Sequence, residues 1–121
     1  MANPSTGVAV YDSTPYGTQT PTTGWWQVGG TSASSPMWAA SVAIANELRA
    51  INAKTTLSGA DTALYRLAGS VNNLGVSLYA NYFFDVTVGN TGNYSATPKF
   101  DETTGLGTQF SQNLLPALIT Q

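Results

Sequence analysis

Neither cysteine nor histidine occurs in this chain. Their absence removes thiol nucleophiles, imidazole general bases, zinc sites built on Cys or His, and disulfides. Charge is scarce as well: Asp, Glu, Lys and Arg make up 8% of the 121 residues, against about 25% in an average soluble domain. Few carboxylates suit an extracellular or acidic setting, where their protonation erodes stability. The four basic residues, Arg49, Lys54, Arg66 and Lys99, are dispersed and the net charge is −2. No patch for a phosphate backbone results, so nucleic-acid binding is not expected. The longest apolar stretch, Met37–Ala45, is interrupted by Ser41 and falls far short of the ~20 residues of a membrane span. No signal-peptide pattern opens the chain, because Met1-Ala2-Asn3-Pro4 leads into turn residues instead of an apolar core. The chemistry left available uses hydroxyls, carboxylates, lysines and backbone groups.

What is present belongs to a folded protein, 42% hydrophobic and 11% aromatic. A chain of this length fits one domain over residues 1–121 with a single modest core. Gly7–Tyr11 reads as a strand entered through the turn Asn3–Gly7, and Asp12–Gly24 as a long loop or irregular hairpin. Trp25–Val28 reads as a short strand ending at Gly29-Gly30. Helix formers dominate Ser35–Ile51, with Pro36 where a first turn tolerates it. Met37, Trp38, Val42, Ile44 and Leu48, with the intervening alanines, wrap most of that helix. Such a helix is expected to be buried on all sides, at the centre of an α/β domain. Asp61 is a candidate N-cap for a second helix through Ala68. Val76–Thr87 is strand-like in its later part, and Phe110–Ile119 reads as a last helix that Pro116 opposes.

The segment Gly29-Gly30-Thr31-Ser32-Ala33-Ser34-Ser35-Pro36 places a serine on a glycine turn that runs into the apolar helix. Unpaired amides and the helix dipole at such a point stabilise developing negative charge, as an oxyanion hole does. Taken alone, Gly-Thr-Ser more often just caps a helix. The wider context, Trp26-Gln27-Val28 through Trp38-Ala39, resembles the serine motif of the subtilisin-like fold and in particular of the sedolisin family of serine-carboxyl peptidases. That resemblance implies Ser32 as nucleophile and the helix start at Thr31, Ala33 and Ser34 as the oxyanion donors. The fold it implies is a partial subtilisin-like sandwich with a few mostly parallel strands around a buried central helix.

Phe84-Asp85-Val86-Thr87 and Phe100-Asp101-Glu102-Thr103-Thr104-Gly105-Leu106-Gly107 form a second constellation. Two aspartates at the mouths of a polar loop can converge on a hard cation with carbonyls completing its shell. Alone, each more often forms a turn or caps a helix. The sedolisin family holds one calcium on a similar pair of segments. The resemblance implies ligation by the carboxylates of Asp85 and Asp101 and by the Val86 carbonyl, with Thr97 and Lys99 at the positions of two further carbonyl ligands. The family has glycine at both of those positions, and this chain does not.

Nearly the whole chain is similar in style to the last third of a sedolisin catalytic domain. Members are typically secreted and cleave proteins at acidic pH, with a glutamate as base for the serine. That acidic residue precedes the matching segment in the family, and none of Asp12, Glu47, Asp61, Asp85, Asp101 and Glu102 takes its place. A serine without its base loses on the order of 10⁴–10⁶ in turnover in triad enzymes. The expected function is a truncated serine hydrolase that is poor or inactive as a peptidase alone. Two alternatives stand beside it: promiscuous cleavage of esters through Ser32, helped by Lys54 or a carboxylate of a second subunit, and a catalytically inert calcium-stabilised fragment. A homo-oligomer formed through an exposed sheet edge is expected as well.

Overall fold

The computed structural model describes residues 3–16 and 22–121. Its backbone divides into two compact units, Met1–Ala40 and Ser41–Gln121.

In the first unit a 3₁₀ turn, Pro4–Thr6, is capped by Asn3, whose side chain accepts from the Ser5 amide at 2.9 Å. Strand β1 (Val8–Tyr16) pairs antiparallel with β2 (Thr22–Val28), from Val8 opposite Val28 to Tyr16 opposite Thr22, with a register shift between Asp12 and Tyr16. Tyr11 and Trp25 face each other across the ribbon with ring centroids 5.4 Å apart. Helix α1 (Thr31–Ile51) follows the Gly29-Gly30 turn, and the boundary between the units falls inside it. No apolar residue described in the first unit is buried.

The second unit holds the core. Helices α2 (Ala60–Ala68) and α4 (Ser111–Ile119) flank a single helical turn α3 (Tyr79–Tyr82), and β3 (Phe83–Phe84) pairs antiparallel with β4 (Thr108–Gln109). Ala45, Ala63, Leu67, Tyr79, Phe83, Leu114 and Leu118 form the buried apolar set. On α1 the buried residues are Ser41, Ala45 and Arg49, one stripe at four-residue spacing. Polar ties link the pieces: Phe110 N–H donates to Tyr82 O at 2.8 Å, Asn113 Nδ2 to Asn81 O at 2.8 Å, and Gln109 Nε2 to Ser41 Oγ at 2.7 Å.

The mostly parallel sandwich around a buried central helix is therefore corrected. Among the described residues there are four helices and two small antiparallel sheets. Residues 17–21 are all that separate β1 from β2, whereas a parallel crossover takes about a dozen or more. Only a hairpin closes so short a connection. Helix α1 is likewise not enclosed: Ile44 is 46% and Ile51 73% exposed. All-round apolarity expresses what a helix can bury; it does not supply the layers that cover it.

Local corrections follow the same logic. Of the long loop or irregular hairpin expected over Asp12–Gly24, the hairpin agrees with the strand at Asp12–Tyr16 and again from Thr22, and the remainder lies outside the described residues. Gly59, in the left-handed region at φ +70°, occupies the N-cap of α2, and Asp61 sits in the first turn. Pro116 lies inside α4 on an exposed position, where it displaces one hydrogen bond without ending the helix.

Candidate functional site

Ser32 is the second residue of α1 and is exposed. Gly30, at φ +108°, makes the bend into the helix, a conformation that side chains other than hydrogen rarely adopt. The Gly30 carbonyl accepts from the amides of Ala33 and Ser34 at 3.0 and 3.1 Å, and from Ser34 Oγ at 3.3 Å. The first four amides of a helix have no partner within it. With Ala33 and Ser34 satisfied by Gly30, the amides of Thr31 and Ser32 remain without an acceptor among the described residues. Of the residues expected as oxyanion donors, Ala33 and Ser34 have their amides engaged on the Gly30 carbonyl, and Thr31 has its amide open among the described residues, as has Ser32.

Ser32 Oγ makes no hydrogen bond to a described residue, so no base is positioned on it. Within Met1–Ala40 the sole carboxylate is Asp12, and one of its oxygens already accepts from the Thr14 amide at 2.8 Å. Among the described residues, Ser32 thus has an exposed hydroxyl beside two amides without an acceptor, and no hydrogen-bond partner on its Oγ.

In the second unit the structure brings Asp85 and Asp101 onto one loop system. Asp101 is 7% exposed and fully engaged. Its Oδ1 accepts from the amides of Thr103 and Thr104, both at 2.7 Å, and its Oδ2 from the Thr97 amide at 3.0 Å and Thr104 Oγ1 at 2.9 Å. The Thr97 amide is the main cause of a carboxyl pKa held below the usual Asp value, against the opposing effect of burial. Asp85 Oδ2 accepts from the Lys99 amide at 2.7 Å. Its Oδ1 is buried without a partner. Both carboxylates, after burial, push the Tyr79 hydroxyl above its ordinary pKa, and that hydroxyl donates to Leu106 O at 3.0 Å.

This donor set fits a calcium ion in part. The unpartnered Asp85 Oδ1 is an open acceptor that a cation or a water could satisfy, since a buried charged oxygen without a partner is strongly disfavoured. The amides of Thr97 and Lys99, the residues expected to offer carbonyl ligands, donate to Asp101 and Asp85 respectively. The Val86 carbonyl accepts from Thr104 Oγ1 at 3.3 Å. Among the described residues no three acidic side chains converge, and the expected ligand set requires only two. Lys99 adopts φ +69°, so the conformation that favours glycine is kept at this position although the residue is not glycine.

Two features were not anticipated. Arg49, 6% exposed, ties the loop after α1 and the end of α4 together: Nε donates to Thr55 O at 2.8 Å, and Nη1 to the backbone oxygens of Leu118, Ile119 and Gln121. Nothing local in the sequence marks that tertiary role. Asp101-Glu102-Thr103-Thr104, by contrast, is an Asp followed by hydroxyl residues, the pattern of an Asx turn, and could have been recognised as one.

No family model matches the chain, and neither a curated protein nor a solved structure matches it.

Proposed function

We infer that this chain is the nucleophile-bearing part of a serine hydrolase related to the sedolisin peptidases, with Ser32 as the attacking group. The observation that carries the reading is an exposed hydroxyl beside two acceptor-free amides at the N-terminus of a long helix. Attack on an ester or peptide carbonyl would generate an oxyanion, and the Thr31 and Ser32 amides together with the helix dipole favour that charge. No described residue hydrogen-bonds Ser32 Oγ, so a base has to be supplied to it. An activated ester, whose leaving group departs without a proton, demands least of the missing acid–base chemistry, so it is the substrate on which these residues act best unaided. Peptide cleavage requires the complementary acidic residues. The test is hydrolysis of p-nitrophenyl acetate by the chain and by Ser32→Ala. Turnover above the buffer rate that disappears in the variant supports the reading, and equal rates refute it.

A second reading, a calcium-stabilised unit without turnover, is favoured by the buried Asp85 Oδ1. A calcium ion there would supply the missing partner, and binding to the folded state alone would raise stability by about 2.7 kcal/mol at a hundredfold excess over Kd. Asp85 and Asp101 would hold it. Thermal unfolding with 1 mM calcium and with EDTA, repeated on Asp85→Asn, tests this. A calcium-dependent rise lost in the variant supports it, and identical curves overturn it.

A further inference from the structure

Of the asparagines in the chain, Asn93 alone opens an Asn-x-Ser/Thr triplet whose middle residue is not proline, Asn93-Tyr94-Ser95. Asn3-Pro4-Ser5 has the spacing but carries the excluded proline. A chain rich in Ser and Thr produces such triplets by chance, so the placement of this one decides what it means.

The triplet sits in a loop that is pinned on both sides. Asn90 and Ser95 face each other in an isolated antiparallel bridge, the Ala96 amide donates to Gly89 O at 2.9 Å, and the Thr91 amide donates to Tyr94 O at 2.9 Å. Within the loop the Asn90 side chain is the brace: Oδ1 accepts from the Gly92 amide, and Nδ2 donates to Ser95 Oγ at 2.8 Å. Gly92, at φ +99°, makes the bend. Asn93 follows that bend. It is exposed, as are Tyr94 and Ser95, and its side-chain amide makes no hydrogen bond to a described residue. A substituent on Asn93 Nδ2 therefore displaces no bond, whereas one on Asn90 would break the brace. Ser95 Oγ accepts from Asn90 and keeps its own proton free to donate.

The composition supplies a second, independent observation. Charged residues make up 8% of the chain, and Val88, just before the loop, is 87% exposed. A hydrophilic group on this loop would add hydration that the side chains do not provide.

We propose that Asn93 is an acceptor for N-linked glycosylation. The donor is an oligosaccharide carried on a lipid pyrophosphate, and the transferase of the secretory compartment catalyses a substitution at the anomeric carbon of its first sugar. The bond from that carbon to the pyrophosphate oxygen breaks, and the lipid pyrophosphate leaves with the bonding pair. A bond from the same carbon to Asn93 Nδ2 forms, and Nδ2 gives up one proton. The hydroxyl of Ser95, two residues on, is the element the transferase recognises. The proposal applies to the chain in a secretory compartment, the setting that its scarcity of charge suits. It is independent of Ser32, so its failure and that of the hydrolase reading are separate results.

The test is translation of the full chain behind a cleavable secretion signal with rough microsomes, followed by gel mobility before and after peptide N-glycosidase. One slower species, reverted by the glycosidase, is expected for the parent and for Ser95→Thr, and its loss is expected in Asn93→Gln and Ser95→Ala. Glycosidase treatment in water labelled with heavy oxygen should convert Asn93 alone to labelled aspartate, read by peptide mass spectrometry. Transfer in microsomes precedes folding, so the glycosylated chain secreted from eukaryotic cells is also compared with Asn93→Gln in thermal unfolding. A midpoint no lower than that of the variant is expected, because Nδ2 has no hydrogen bond to lose. No slower species in the parent, one that persists in Asn93→Gln or Ser95→Ala, or a lower midpoint of the glycosylated chain overturns the proposal.

Discussion

Replacing Arg49 by Met keeps most of the hydrocarbon stem and deletes the guanidinium. Two anchors disappear, one on Thr55 O and one on the end of α4, where the carbonyls of Leu118 and Ile119 have no helical donor. A hydrogen bond from a charged group contributes about 1.5–3 kcal/mol. Nη1 is shared among three acceptors, so that set counts as one anchor and the total loss is roughly 3–6 kcal/mol. That is a large part of the ~5–15 kcal/mol available to a domain. With a urea slope of about 1–3 kcal/mol/M, the midpoint should fall by about 2 M. Far-UV circular dichroism is the suitable probe, because all three tryptophans lie before Ser41 and report on the other unit. A midpoint within about 0.3 M of the parent would show that Arg49 does not tether α4.

Lys99→Gly should raise stability by about 0.5–1 kcal/mol, because relief of left-handed strain of about 1–2 kcal/mol exceeds the added backbone entropy of the unfolded chain; a loss in the same urea experiment would contradict this. Asp101 has its pKa lowered in the fold, so its contribution is present above the unfolded value of about 3.9 and is lost as pH falls through the lower folded value. In EDTA, Asp101→Asn should therefore show a weaker acid dependence of stability below about pH 4 than the parent, and superimposable pH curves would refute the assignment. The apolar side chains of the hairpin, with Trp25 74% and Tyr16 75% exposed, should drive self-association. Light scattering that shows a compact monomer at 100 μM would contradict that.

The extent to which the fold was legible follows from how local each signal is. The positions of α2 and α4 follow from apolar spacing, and the strand-to-glycine-turn-to-helix passage around Gly29-Gly30 is carried by residues adjacent in sequence. The start of α1 was set at Ser35 and lies at Thr31, because the serines and Pro36 that read as a cap are themselves in the first turns. Resemblance suggests a parallel sheet, whereas the short connection at residues 17–21 permits only the antiparallel pairing that an irregular hairpin over Asp12–Gly24 also offers. Within Val76–Thr87, strand-like in its later part, strand occurs at Phe83–Phe84, and Tyr82 closes the helical turn Tyr79–Tyr82 instead. At the sites, Ser32 and the two aspartates were visible as residue types. Which amides are free at Ser32, and that the amides of Thr97 and Lys99 donate to the two aspartates, depends on backbone orientation that no side-chain pattern encodes.

Ser32 is proposed as a nucleophile beside amides that have no acceptor among the described residues. Incubating the chain and Ser32→Ala with a fluorophosphonate, followed by peptide mass spectrometry, measures this directly. A single adduct that accumulates slowly on Ser32, and is absent from the variant, is the predicted result. Adducts distributed over other hydroxyls, or none on Ser32, would contradict it.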